Sequence, residues 1–171
     1  GDLDILVIPS PNVKPNPGAQ AFVNLLKETG KLRFENRTAS VFPNGANRYV
    51  HADGAPVFFD IDADGDLDIC SITDEGDRYT LINDGKGHLA PKEGSGVGAN
   101  AETTSAATFV DADGDGLLDL FVGNWYSRYG VDNECFPSRL FHGNGDGTFA
   151  DVTEKAGMLG VQEVGRRESR R

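Results

Sequence analysis

The chain has 171 residues, with 27 acidic against 16 basic side chains, a formal net charge of −11 and a pI near 4.6. That length suits one ordinary domain. The acidity argues against a nucleic-acid partner, which would need a basic stripe, and no apolar run approaches the ~18 residues of a membrane-spanning helix. The 22 glycines and 8 prolines, set between short apolar runs, point to a turn-rich all-β chain.

The first predicted strand, Ile5-Leu6-Val7-Ile8, follows Gly1-Asp2-Leu3-Asp4. Ala19 to Gly30 reads in isolation as a helix, with Phe22, Leu25 and Leu26 on one face and Gly30 as a C-cap. The internal repeat instead sets Gly30 with the turn glycines of later units and Phe34 with Phe149, with two residues inserted. The strand reading is therefore taken for this stretch. Asn36-Arg37-Thr38 then matches Asp151-Val152-Thr153; it is also a glycosylation sequon, usable only in a eukaryotic secretory pathway.

Val57-Phe58-Phe59 leads into the densest motif of the chain, Asp60-Ile61-Asp62-Ala63-Asp64-Gly65-Asp66-Leu67-Asp68, and Ile69-Cys70-Ser71-Ile72 follows it. Carboxylates this close repel unless a cation sits among them. A hard divalent ion with six to eight oxygen ligands fits, and Ca²⁺ suits a flexible carboxylate cage better than Mg²⁺. The motif returns as Asp111-Ala112-Asp113-Gly114-Asp115-Gly116-Leu117-Leu118-Asp119, between Thr108-Phe109-Val110 and Leu120-Phe121-Val122. Gly1-Asp2-Leu3-Asp4 matches only its last four positions, so Asp2 and Asp4 make no site alone.

Downstream of both full loops lie glycine turns, Asn83-Asp84-Gly85-Lys86-Gly87 and Gly143-Asn144-Gly145-Asp146-Gly147, each between apolar runs. Each unit thus reads strand, Asp loop, strand, connection, strand, glycine turn, strand. Four antiparallel strands repeated at this spacing are the signature of propeller blades. The units fall at about residues 1–40, 57–97 and 106–157, with a tail of unassigned structure from 158 to 171. Three blades leave the arc open at both ends, so the chain reads as a piece of a longer protein that needs further blades to close.

The expected Ca²⁺ ligands are the side chains of Asp60, Asp62, Asp64 and Asp68 with the Asp66 carbonyl. The second set is Asp111, Asp113, Asp115 and Asp119 with the carbonyl of Leu117, which can contribute only through its backbone. An EF-hand is excluded: position 12 of its loop must be Glu, whereas that position holds Ser71 and Val122 here, and the flanks are β-type runs.

With DxDxDGxxD and the run LFHGNGDGTFADVTEKAG from Leu140 to Gly157, residues 1–157 resemble FG-GAP/VCBS-type repeats. These form the blades of the integrin α-subunit propeller and of bacterial relatives. The second run is particularly similar to repeats of proteins with an ASPIC/UnbV domain, such as cartilage acidic proteins. The resemblance implies a seven- or eight-bladed β-propeller, Ca²⁺ in the blade hairpins and an extracellular or cell-surface setting.

Blade topology puts the Asp loops and glycine turns on one face. The variable connections, about 9–21, 73–78 and 124–138, lie on the other. The last holds Trp125, Tyr126, Arg128 and Tyr129, an aromatic and Arg-rich set that reads either as a protein- or glycan-binding patch or as cover for the next blade. His51, His88 and His142 read as solvated turn residues, and no catalytic constellation stands out. Cys70 and Cys135 read as buried thiols, with a disulfide as the alternative, and the arginines of 166–171 as a frayed end. The sequence reading is therefore a non-enzymatic, Ca²⁺-binding adhesion or interaction module. Its alternative is an accessory propeller region of a secreted carbohydrate- or lipid-active enzyme.

Overall fold

The computed structural model describes residues 3–9, 14, 17–50, 54–72, 78–98, 103–125 and 136–159. These residues form three antiparallel sheets. The first contains β1 (Ile5–Val7), β2 (Gln20–Asn24) and β3 (Phe34–Asn36) in that order. The second runs β4 (Gly54–Phe59), β5 (Asp68–Ile72), β6 (Arg78–Asn83) and β7 (Leu89–Pro91). The third repeats it with β8 (Thr104–Val110), β9 (Asp119–Asn124), β10 (Arg139–Gly143) and β11 (Phe149–Asp151). The strand, Asp loop, strand, glycine turn order read from the sequence is the order found. The fold is all-β and built of blade-like sheets.

Registers agree from sheet to sheet. Ile69 faces Leu81 and Leu120 faces Phe141, as Ile5 faces Phe22. The last pairs before the turn are Asn83 with Leu89, Gly143 with Phe149, and Asn24 with Phe34. The alignment of Phe34 with Phe149 therefore holds. The glycine turns close by N–H donation from Asp84 to the His88 carbonyl and from Asn144 to the Thr148 carbonyl. In the first sheet the matching bond runs from Leu25 to Arg33 at 2.8 Å, and residues 26–32 replace the three turn residues. The insertion at this turn exceeds the two residues allowed by the alignment. It folds as one helical turn, α1 (Leu26–Thr29), closed by Gly30 in the left-handed region at φ 68°. Both readings of Ala19–Gly30 are thus partly realised, a strand followed by a helical turn, because cross-strand pairing overrides local helical periodicity beyond the turn.

Alternation along each strand builds two cores. Cys70 and Ile72 of β5 turn toward the third sheet, packing with Leu120, Val122, Phe109, Phe141 and Phe149. Ile69 points the opposite way, into a second core with Leu81, Leu89, Ala21 and Phe42. β5 is thus buried on both sides, which fits the apolar Ile69, Cys70 and Ile72 on its two faces. Burial also pushes the Cys70 thiol up to about 12. Arg78 ties the second sheet to the third: its guanidinium lies 5.7 Å from the Phe141 ring centroid and donates to the Val97 carbonyl and Asn124 Oδ1, each at 3.3 Å.

β1 differs from its counterparts β5 and β9. It lies at the edge of its sheet among the described residues, and Ile5 is 45% exposed where Ile69 and Leu120 are fully buried. No described strand pairs with its outer side.

Asn36-Arg37-Thr38 also occupies the place of Asp151-Val152-Thr153, with the same bonds. The Asn36 side-chain oxygen accepts from the Thr38 N–H and hydroxyl at 3.1 and 2.7 Å; Asp151 accepts likewise from Thr153. Each threonine oxygen in turn accepts a backbone N–H of the neighbouring strand, from Ala21 and from Leu140. The sequon thus has a structural task, pinning the end of the blade.

Candidate metal centres in the aspartate loops

Each loop is anchored by its last aspartate, which opens the second strand of its sheet. Asp68 is fully buried; one carboxylate oxygen accepts the Ile61 N–H and the other the Asn83 N–H, both at 2.8 Å. Asp119 repeats this with Ala112 and Gly143 at 3.0 Å, and Asp4 accepts from Asn24 at 2.8 Å. The carboxylate thereby stitches the loop to the third strand of the sheet. This bracing role was not read from the sequence, although the equivalence of Asp4, Asp68 and Asp119 was its signal. Burial raises the Asp68 pKa, with the two backbone N–H bonds working against that rise.

The first aspartate turns its oxygens into the loop. Asp60 accepts the N–H groups of Asp64 and Gly65 at 3.0 and 3.1 Å; Asp111 accepts those of Gly114 and Gly116 at 2.7 and 3.1 Å. This wrapping requires left-handed backbone at positions 4 and 6. Position 6 is Gly65 or Gly116, at φ 96° and 90°. Position 4 is Gly114 in one loop but Ala63 in the other, at φ 61°, a conformation that costs an L-residue with a Cβ roughly 1–2 kcal/mol.

Of the predicted ligands, Asp60, Asp62 and Asp68 each bring one oxygen within 4.8 Å of the others, as do Asp111, Asp113 and Asp115. Asp64 is exposed and stands outside the first grouping. Asp62 Oδ1 is buried without any hydrogen-bond partner. Desolvation, then the negative charge of Asp64, raise its pKa. The Leu117 side chain packs against Gly145, where an added Cβ would lie 2.9 Å from Leu117 Cδ2.

His142 corrects the sequence reading. It is no solvated turn residue but comes from β10, with its side chain 29% exposed, into the second loop. Its Nδ1 lies 3.0 Å from Asp119 Oδ1 and 3.5 Å from Asp113 Oδ2, and its Nε2 lies 3.7 Å from Asp115 Oδ2. Asp113, Asp119 and His142 form a third convergent set. His88, by contrast, is a turn residue bonded to exposed Asp84 at 2.8 Å, and that bond holds Asp84 down at about 2.

Trp125 is 47% exposed. Its N–H donates to the Thr103 carbonyl and its own carbonyl accepts from Phe136. Tyr126, Arg128, Tyr129, His51, Cys135 and the tail beyond residue 159 lie outside the described residues, as do residues 10–13, 15–16, 73–77 and 126–135 of the variable connections.

Residues 60–122, from the first aspartate of one loop to the strand after the other, match the family of FG-GAP-like repeats. No curated protein matches the chain. No helix among the described residues is long and apolar enough to cross a membrane.

Proposed function

From the premise that this chain carries an FG-GAP-like repeat, we propose that it is a cation-stabilised β-propeller module. It is non-enzymatic, works at the cell surface or outside the cell, and presents loops for adhesion or for a protein or glycan partner. Both Asp loops hold a divalent ion. In the first, Asp60, Asp62 and Asp68 supply oxygen donors and the ion is Ca²⁺.

The observation that carries this reading is the Asp62 carboxylate. One of its oxygens is buried without a partner beside two other carboxylates. An unpaired buried carboxylate oxygen is costly, and an oxygen-seeking cation offsets that cost. When bound, the ion supplies charge neutralisation; the chain supplies the wrapped backbone and the carboxylates already braced by N–H groups.

A thermal melt of the whole chain in EDTA and then in millimolar Ca²⁺ tests the proposal. With free Ca²⁺ at ~10 times Kd, one site adds about 1.4 kcal/mol, a rise of roughly 3–6 °C at the usual scaling for this size. Asp62→Ala removes the share of the first loop. A melting temperature indifferent to Ca²⁺ in the folded wild-type chain overturns the reading.

A further inference from the structure

Resting on the reading that the loops hold cations, we propose that the second loop is a different metal site from the first. It is built for an imidazole-binding transition ion of the Zn²⁺ class, with His142 as a ligand beside Asp113 and Asp119. Ca²⁺ takes oxygen donors almost without exception, whereas a ring nitrogen among carboxylates suits Zn²⁺, Co²⁺ and their neighbours.

Three observations support the distinction. His142 belongs to β10 and so reaches the loop from outside it. Counted back from the residue whose N–H meets the bracing aspartate, its place is held by Ile82 in the second sheet and Val23 in the first. The two other sheets of this same chain put an aliphatic side chain there, so blade architecture does not require a histidine. A ring nitrogen of His142 and one oxygen each of Asp113 and Asp119 lie within 4.8 Å of one another.

Asp119 is held in place before any ion arrives, 2% exposed and bonded to the Ala112 and Gly143 N–H groups. A cleft of about 340 Å³ opens over the same residues, lined by Ala112, Asp113, Asp119, Leu140, His142 and Lys155 among others. An ion therefore has an entry path and room for water to complete its shell. The first loop offers no nitrogen donor in its convergent set, only Asp60, Asp62 and Asp68.

The test titrates the full chain with Co²⁺, read by visible absorption and calorimetry, then with Zn²⁺ as competitor. A parallel Ca²⁺ melt reports the first loop and the integrity of the fold. The expected result is one Co²⁺ site, displaced by Zn²⁺ and not by millimolar Ca²⁺. His142→Ile, the residue found at the equivalent place, weakens Co²⁺ binding about tenfold or more while the Ca²⁺ melt keeps the first-loop response; His88→Ala leaves Co²⁺ binding unchanged. Co²⁺ affinity that survives His142→Ile, or falls with His88→Ala instead, overturns the assignment. Absence of Co²⁺ binding in a chain that Ca²⁺ stabilises overturns it too, leaving His142 as an internal partner of Asp119. If neither ion acts, the underlying cation reading falls with it.

Discussion

The two Asp loops have the same aspartates at positions 1, 3, 5 and 9 and the same fold, yet different interiors. The Asp60 loop gathers oxygens only and leaves one of them, on Asp62, buried and unpaired. The Asp111 loop receives an imidazole from β10 and keeps Asp111, Asp113 and Asp115 exposed. The same spacing brings positions 1, 3 and 9 together in the first loop and positions 1, 3 and 5 in the second. The strand that passes beside each loop decides what else its carboxylates meet.

The two loops share most at the bracing aspartate, and the largest effect is expected there. Asp68→Ala leaves the N–H groups of Ile61 and Asn83 without their acceptor in a buried place, a loss of about 3 kcal/mol or more. Asp119→Ala should cost a comparable amount, so urea unfolding of the pair measures whether the brace is equivalent in both sheets. A loss below ~1 kcal/mol in either would show that water or backbone takes over the carboxylate's bonds there.

A second contrast lies one step along the next strand. Asn83 donates its side-chain amide to the Leu67 carbonyl at 3.2 Å, and Asn24 does the same to Leu3 at 3.3 Å. The third sheet has Gly143 at this place, and an added Cβ would collide with the Leu118 carbonyl oxygen. Gly143→Ala is therefore expected to destabilise by roughly 2 kcal/mol through forced backbone movement. Asn83→Ala loses one side-chain hydrogen bond and should cost about 1 kcal/mol. If Gly143→Ala is the milder of the two in denaturant titration, the backbone of the third sheet yields to the added methyl and the close approach to Leu118 is not stabilising.

The smallest effect concerns position 4. Ala63 adopts the left-handed backbone that Gly114 adopts in the other loop. Ala63→Gly relieves that strain but frees the unfolded chain, and the balance should favour the folded state by ~0.5 kcal/mol. Gly114→Ala should shift the melt in the opposite direction. Equal responses in the two loops would mean the strain is taken up elsewhere.

Much of this was legible in the residues because it is local or repeated. Alternating apolar runs, glycine turns that need positive φ and an aspartate pattern recurring at fixed spacing each have a short-range cause. Together they specified four-strand units in the right order. Even the divergent first unit was placed by its match of Phe34 to Phe149, against its own helical periodicity.

What the sequence determined by itself, then, is the strand order and the positions of the loops, since each follows from backbone geometry within a few residues. Tertiary structure decided the rest. It buried Asp68 and Asp119 as braces, turned the inserted residues 26–32 into a helical turn, left Ile5 and Val7 exposed at an edge, and carried His142 into the second loop. Such outcomes depend on which distant strand lies alongside, and the spacing within a loop holds no record of its neighbour.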